Sequence, residues 1–145
     1  MSDTIKDYAY RVKVDLPYEE AVEKVTAALK EEGFGVLTQI DVRDTIKKRL
    51  GADFRRYVIL GACNPPLAHR ALTVELELGL MLPCNIIVYE DEERGGSFIS
   101  IVDPISMLGV VENPELEPVA EEARSRLKRV AEALADKTAQ DQAPE

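Results

Sequence analysis

Residues 85–103, NIIVYEDEERGGSFISIVD, constrain the fold of this chain more than any other stretch. Two β-branched and aromatic runs flank a charged tip that carries Gly95 and Gly96. That pattern describes an antiparallel hairpin, with Ile86–Glu90 paired to Phe98–Val102 and the two glycines in the turn. The run RYVILGAC, ending at Cys63, is apolar and β-branched enough to be a central strand. YAYRVKVDL sets Tyr8, Tyr10, Val12 and Val14 on one side and Ala9, Arg11 and Lys13 on the other, which is the period of a half-buried strand. FGVLTQI is a further short strand.

Helical signals separate these runs. After Pro17, Ala21, Val22, Val25, Ala28 and Leu29 recur at helical spacing. Glu19 and Glu20 complement the positive end of that helix and Lys30 its negative end, with Gly33 as the stop. Asp41 or Asp44 can cap a short helix closed by Gly51. Asn64 and Pro65 suit the cap and first position of another. The longest helix opens at Asn113-Pro114. Its apolar stripe is Leu116, Val119, Ala120, Ala123, Leu127, Val130, Ala131 and Leu134. The tail KTAQDQAPE is too polar to pack, so residues 1–136 are expected to form one domain and 137–145 a disordered tail. The fold class is α+β, a mostly antiparallel sheet with helices on one face.

Charge narrows the function classes. With 18 Lys and Arg against 27 Asp and Glu, the net charge is −9, which disfavours a nucleic-acid partner. The cluster Lys47, Lys48, Arg49, Arg55 and Arg56 is read as a solvated face. No run approaches the roughly 18 apolar residues of a membrane span. The first residues lack the pattern of a secretion signal, and the expected location is cytoplasmic. There, the two cysteines, Cys63 and Cys84, are expected as thiols unless they do redox or metal chemistry. No phosphate-binding loop, dinucleotide fingerprint, G-x-S-x-G or H-E-x-x-H motif is present. Glu75 and Glu77 share a face but are read as surface charge rather than an acid–base pair.

The two cysteines sit in similar settings, GACNPPLAHRAL and GLMLPCNIIVYE, each followed by asparagine and beside proline. With VDPISML these segments resemble the family of domain of unknown function 302, small bacterial and archaeal proteins with no assigned activity. The resemblance runs from about Val12 into the last helix. It implies a curved, TATA-box-binding-protein-like sheet in the order β-α-β-β-β-β-α. The DNA binding of that fold's namesake does not transfer, because function resides in sites. The matching positions are Cys63, Asn64, Pro65, Ala68 and His69, then Leu82, Pro83, Cys84 and Asn85, then Asp103 and Pro104. Met81 stands where leucine is more usual.

The chemistry of those residues permits several readings. Cys63 ends a strand just before a helix start, where the helix dipole favours a thiolate. Cys63, Cys84 and His69 could hold a soft ion such as zinc or copper. Cys63 and Cys84 could form a reversible disulfide or a nucleophile and its resolving thiol. A cysteine–histidine hydrolase is disfavoured, since six positions of helix turn His69 away from Cys63 and no third residue orients its ring. Alternatively, Cys63, Asn64, His69, Cys84 and Asn85 could line a pocket for a small molecule, with helix N–H groups for an anionic group. Set against all of these, both cysteines could be core residues beside capping turns. The reading adopted is a non-enzymatic ligand-binding or sensing module of thiol or metal type centred on Cys63 and Cys84. Its rivals are a thiol-dependent enzyme using Cys63 and a structural or oligomerisation domain. A homodimer would cover the sheet face that the helices leave open.

Overall fold

A computed structural model describes the backbone of residues 2–6 and 8–142, and the side chains of residues 8–135. The six strands are β1 (Ser2–Lys6), β2 (Ala9–Val14), β3 (Gly35–Asp41), β4 (Tyr57–Cys63), β5 (Cys84–Glu90) and β6 (Ser97–Val102). They form one sheet in the order β1-β2-β6-β5-β4-β3, and every neighbouring pair is antiparallel. The helices are α1 (Tyr18–Glu31), α2 (Val42–Leu50), α3 (Pro65–Val74), α4 (Pro104–Gly109) and α5 (Glu117–Gln142). Short 3-10 turns span Leu76–Met81 and Pro114–Leu116. The expected order β-α-β-β-β-β-α is present as β2, α1, β3, β4, β5, β6 and α5. β1, α2, α3 and α4 are additions to it.

The hairpin register follows the sequence pattern, with Ile86 opposite Ile101 and Glu90 opposite Ser97. Its turn closes because Asp91 Oδ1 accepts from the amides of Glu93 (3.0 Å) and Arg94 (3.1 Å). Alternation then sorts the sheet into two faces. Val12, Val14, Val58, Leu60, Ile86, Val88, Ile99 and Ile101 point to one side and are fully or almost fully buried. Against them pack Ala21, Val25 and Leu29 of α1, Leu67 and Ala71 of α3, Leu108 of α4 and the stripe of α5. Every member of the stripe read from the sequence, Leu116 to Leu134, is buried. α2 lies against β3 and β4 and buries none of its residues.

Caps mark where the elements start. Asp41 accepts from the Asp44 amide (2.9 Å) at α2, and Gly51 ends that helix in the left-handed region. Asn64 accepts from Leu67 N (3.2 Å) at α3. Asn113 accepts from Glu115 N (3.0 Å) and so caps the 3-10 turn that leads into α5, rather than α5 itself. Pro17 is the residue immediately before α1.

At the C-terminus the helical backbone runs on to Gln142, past residue 136 where the sequence places the end of the domain. The segment KTAQDQ is polar but contains helix-compatible residues, so the helical backbone can propagate into it from the packed part of α5. Residues 143–145 of the expected tail lie outside the described residues.

Candidate functional site

Beyond the end of β4 the chain must turn back over the sheet, and this corner is built from α1, α3 and α5 together. Gly33 leaves α1 with φ 84°. A Cβ there would stand 2.8 Å from Asn64 Nδ2, so glycine is required both for the backbone and for the space. Asn64 is buried and uses both ends of its amide. Its oxygen caps α3, and its nitrogen donates to Glu32 O at 3.4 Å. Glu32 O also accepts from Arg126 of α5 at 3.1 Å. One carbonyl at the end of α1 therefore ties α3 and α5 to the same point.

The corner forms a half-open apolar cavity of about 320 Å³ between the sheet end and the helices. β4 contributes Ala62 and Cys63, β5 contributes Cys84, and α3 contributes Leu67 and Ala71. Leu108 of α4 and Val119 and Ala123 of α5 close the far side. On the other side of β4, Gly61 lets Pro83 approach: a Cβ at residue 61 would lie 2.6 Å from Pro83 Cγ and would also collide with Thr38 Oγ1. That close approach holds the Leu82–Cys84 segment against the cavity mouth.

Cys63 is half-buried and Cys84 is buried, and both are free thiols on the wall of this cavity. Burial, reinforced by the nearby Cys63 sulfur, pushes the Cys84 thiol up to about 11. It is therefore a neutral thiol at physiological pH.

The other residues singled out in the sequence lie elsewhere. His69 is exposed and lines a separate depression with Arg70, Thr73 and Glu115. The reason is helical geometry. Leu67 and Ala71, four apart, face the core, and His69, two residues from each, faces away. Among the described residues, no group of three or more His, Cys, Asp or Glu side chains is placed to hold a metal ion. Asn85 is exposed and alternates away from Cys84. Asn64 belongs to the wall, but as a structural cap whose amide is fully engaged.

The helix start does not offer the anion site expected from the sequence. Pro65 and Pro66 carry no N–H, Leu67 N donates to the Asn64 side chain, and Ala68 N donates to Asn64 O (2.9 Å). The donors that would cradle an anion are missing or taken.

The third element of the motif is a buried polar cluster. Asp103 is 3% exposed and caps α4 through Ile105 N (3.1 Å). It also accepts from Ser106 (3.3 Å) and from Arg124 (3.2 Å), whose Nε donates to the Tyr10 hydroxyl (3.1 Å). This cluster joins β2, α4 and α5 beside the cavity.

The sequence profile described as domain of unknown function DUF302 matches residues 10–134. The crystal structure of an uncharacterized conserved DUF302 protein from Bacillus stearothermophilus superposes with a TM-score of 0.80 at 33% identity. That match covers 89% of this chain and 99% of the other. The chain belongs to the DUF302 family. No curated protein matches it.

Among the described residues, no helix is long and apolar enough to cross a membrane. The wall residues missed by the sequence reading are Leu67, Ala71, Leu108, Val119 and Ala123. Each was legible as part of an apolar helix face, but a helix face does not reveal where neighbouring faces fail to meet.

Proposed function

We propose that this chain is a binding module for a small, uncharged and largely apolar molecule, held in the cavity between β4, β5, α3 and α5. The observation that carries the reading is the composition of the wall. About 320 Å³ is lined by Leu, Ala, Val, Pro and Phe side chains and the Cys63 and Cys84 thiols, with Thr38 and the engaged amide of Asn64 as its polar residues. That volume lies at the small end of ligand pockets, roughly 300–1,000 Å³. Apolar cavities take apolar guests, because water inside them finds too few polar partners. An anionic ligand would have to give up its hydration for a wall that offers no charge and no free helix N–H.

The test uses a series of n-alcohols and indole as probes, read by thermal denaturation and by NMR of the isotope-labelled chain. A probe at a hundred times its dissociation constant stabilises the folded state by about 2.7 kcal/mol. For a domain of this size that corresponds to a rise of about 2–4 °C per kcal/mol. Ala71→Phe fills the space and should abolish the rise while leaving the fold intact. If no probe raises the melting temperature or moves the resonances of Leu67, Cys84 and Ala123, the reading fails.

A second reading, thiol sensing, is favoured by one observation: both thiols share the wall, one half-buried and one buried. Alkylation of each thiol followed against pH by mass spectrometry tests it. Fast reaction of Cys63 near neutral pH supports a sensor, and inertness of both until unfolding removes it.

A further inference from the structure

The face of the sheet opposite the helices is not built like a surface made for water. Across the strands, Tyr57, Tyr89, Phe98 and Lys13 stand in register in one row. Ile40, Ile59, Ile87, Ser100 and Arg11 form the next. The aromatic rings stack on each other, Tyr57 to Tyr89 at 5.4 Å and Tyr89 to Phe98 at 5.4 Å. Phe54 extends the row at 6.1 Å from Tyr57 and remains 43% exposed, and Ile40 is 49% exposed. A solvated sheet face normally alternates to polar side chains. In the middle of this one, Ser100 Oγ is buried and, among the described residues, has no hydrogen-bond partner.

We infer that this face is the interface of a homodimer, two copies packing sheet against sheet. Charge favours a second copy over a polyanion or an acidic protein. The chain carries −9 overall, so two copies repel unless they meet where charge is locally balanced. Among the described residues of β2 to β6, the charged side chains on this face are Arg11 and Lys13, both over the Phe98 ring at 4.7 and 5.2 Å. Lys13 is already paired with Asp91 at 2.7 Å, and Arg55, over Tyr89, with Glu92 at 3.2 Å. Asp3 of β1 stands opposite Arg11 in the register, so cations and carboxylates balance on this face, which offers little net field of either sign to a polyanion or to its own copy. Its aromatic rows and rim cations are self-complementary, as a two-fold interface requires.

Size agrees. Five strands at about 4.8 Å spacing and about 20 Å length present roughly 500 Å² of flat sheet per copy. Two copies face to face reach the roughly 1,000 Å² that separates a stable interface from incidental contact.

The test is the mass of the full chain in solution, measured by light scattering over a dilution series. The wild type should have twice the mass of one chain at high concentration. Ile87→Lys should weaken association about a hundredfold or more, as loss of a central interface contact does. Arg11→Glu at the rim should weaken it less, and Glu121→Lys on α5 should leave it unchanged. Tyrosine nitration of the wild type gives a readout independent of any substitution. Tyr57 and Tyr89 should react faster on dilution, whereas Tyr18, outside the face, should not change. A wild type that is monomeric at every concentration overturns the inference. So does a dimer that survives Ile87→Lys in a folded chain, or a dimer whose Tyr57 and Tyr89 react as fast as in the dilute protein.

Discussion

Asn64 and Gly33 are fitted to each other: the Asn64 amide occupies the space where a side chain at residue 33 would begin, 2.8 Å from the position of its Cβ. Gly33→Ala therefore meets two penalties, a left-handed backbone and a collision with a buried amide. The expected loss is about 1–3 kcal/mol, read as a lower urea midpoint with an unchanged slope. A smaller loss would show that Asn64 can move aside without cost.

The Asn64 side chain can be divided by substitution. Asn64→Ala removes the cap of α3 and should cost about 1 kcal/mol or somewhat more. Asn64→Asp keeps the oxygen that caps Leu67 N but replaces the donor to Glu32 O with a second carboxylate oxygen. It should be less stable than wild type at neutral pH and recover as the pH falls and the new carboxyl is protonated. Urea titrations at two pH values check this, and a pH-independent loss would contradict it.

Asp103 depends on Arg124. The carboxylate is 4% exposed and the guanidinium 40%, so the pair is half in water and its partners are unequal. Removing Arg124 strands a buried charge, whereas removing Asp103 leaves a cation that can reach solvent and still bond Tyr10. Arg124→Ala should therefore cost about 2–3 kcal/mol, below the range for a fully buried pair. Asp103→Ala should cost less, about 1–2 kcal/mol, through the lost cap of α4. A double-mutant cycle should give a coupling near 1 kcal/mol, and additive losses would show that the contact contributes nothing.

Much of this fold was legible in the sequence, and the reasons differ by element. The β5–β6 register followed from two apolar runs and a glycine turn, because a hairpin is a local object. The buried stripe of α5 followed from helical period alone. The cavity did not, because it is set by how far α3 stands from β4 and from α5. That distance depends on the engaged amide of Asn64 and on Gly33, both of which look like ordinary turn residues. The expected grouping of His69 with the cysteines failed for a reason that was present in the sequence: Leu67 and Ala71 claim the inner face of α3. The anion site failed because Pro66 removes a second N–H beside the one lost at Pro65. An open sheet face was expected from the sequence, but its aromatic make-up emerged only once the register placed Tyr57, Tyr89 and Phe98 in a single row.

Cys84 gives the protein a pH dependence at its alkaline end. Burial holds its thiol up to about 11 in the folded state, against an ordinary value of 9.0. Between those values the folded chain keeps a proton that the unfolded chain releases, so stability falls as pH rises through this window. Below it the contribution is fully present and flat. The expected loss from the bottom to the top of the window is about 1–3 kcal/mol, since each pH unit contributes at most about 1.4 kcal/mol per proton. Cys84→Ala should remove this part of the slope, at the cost of a constant loss of packing. The alkylation rate of Cys84 should stay low at pH 9 and climb only towards 11. Urea titrations across this range, on wild type and Cys84→Ala, decide the matter: equal slopes in the two proteins would mean that the Cys84 thiol ionises freely in the folded state and that the cavity wall is open to water.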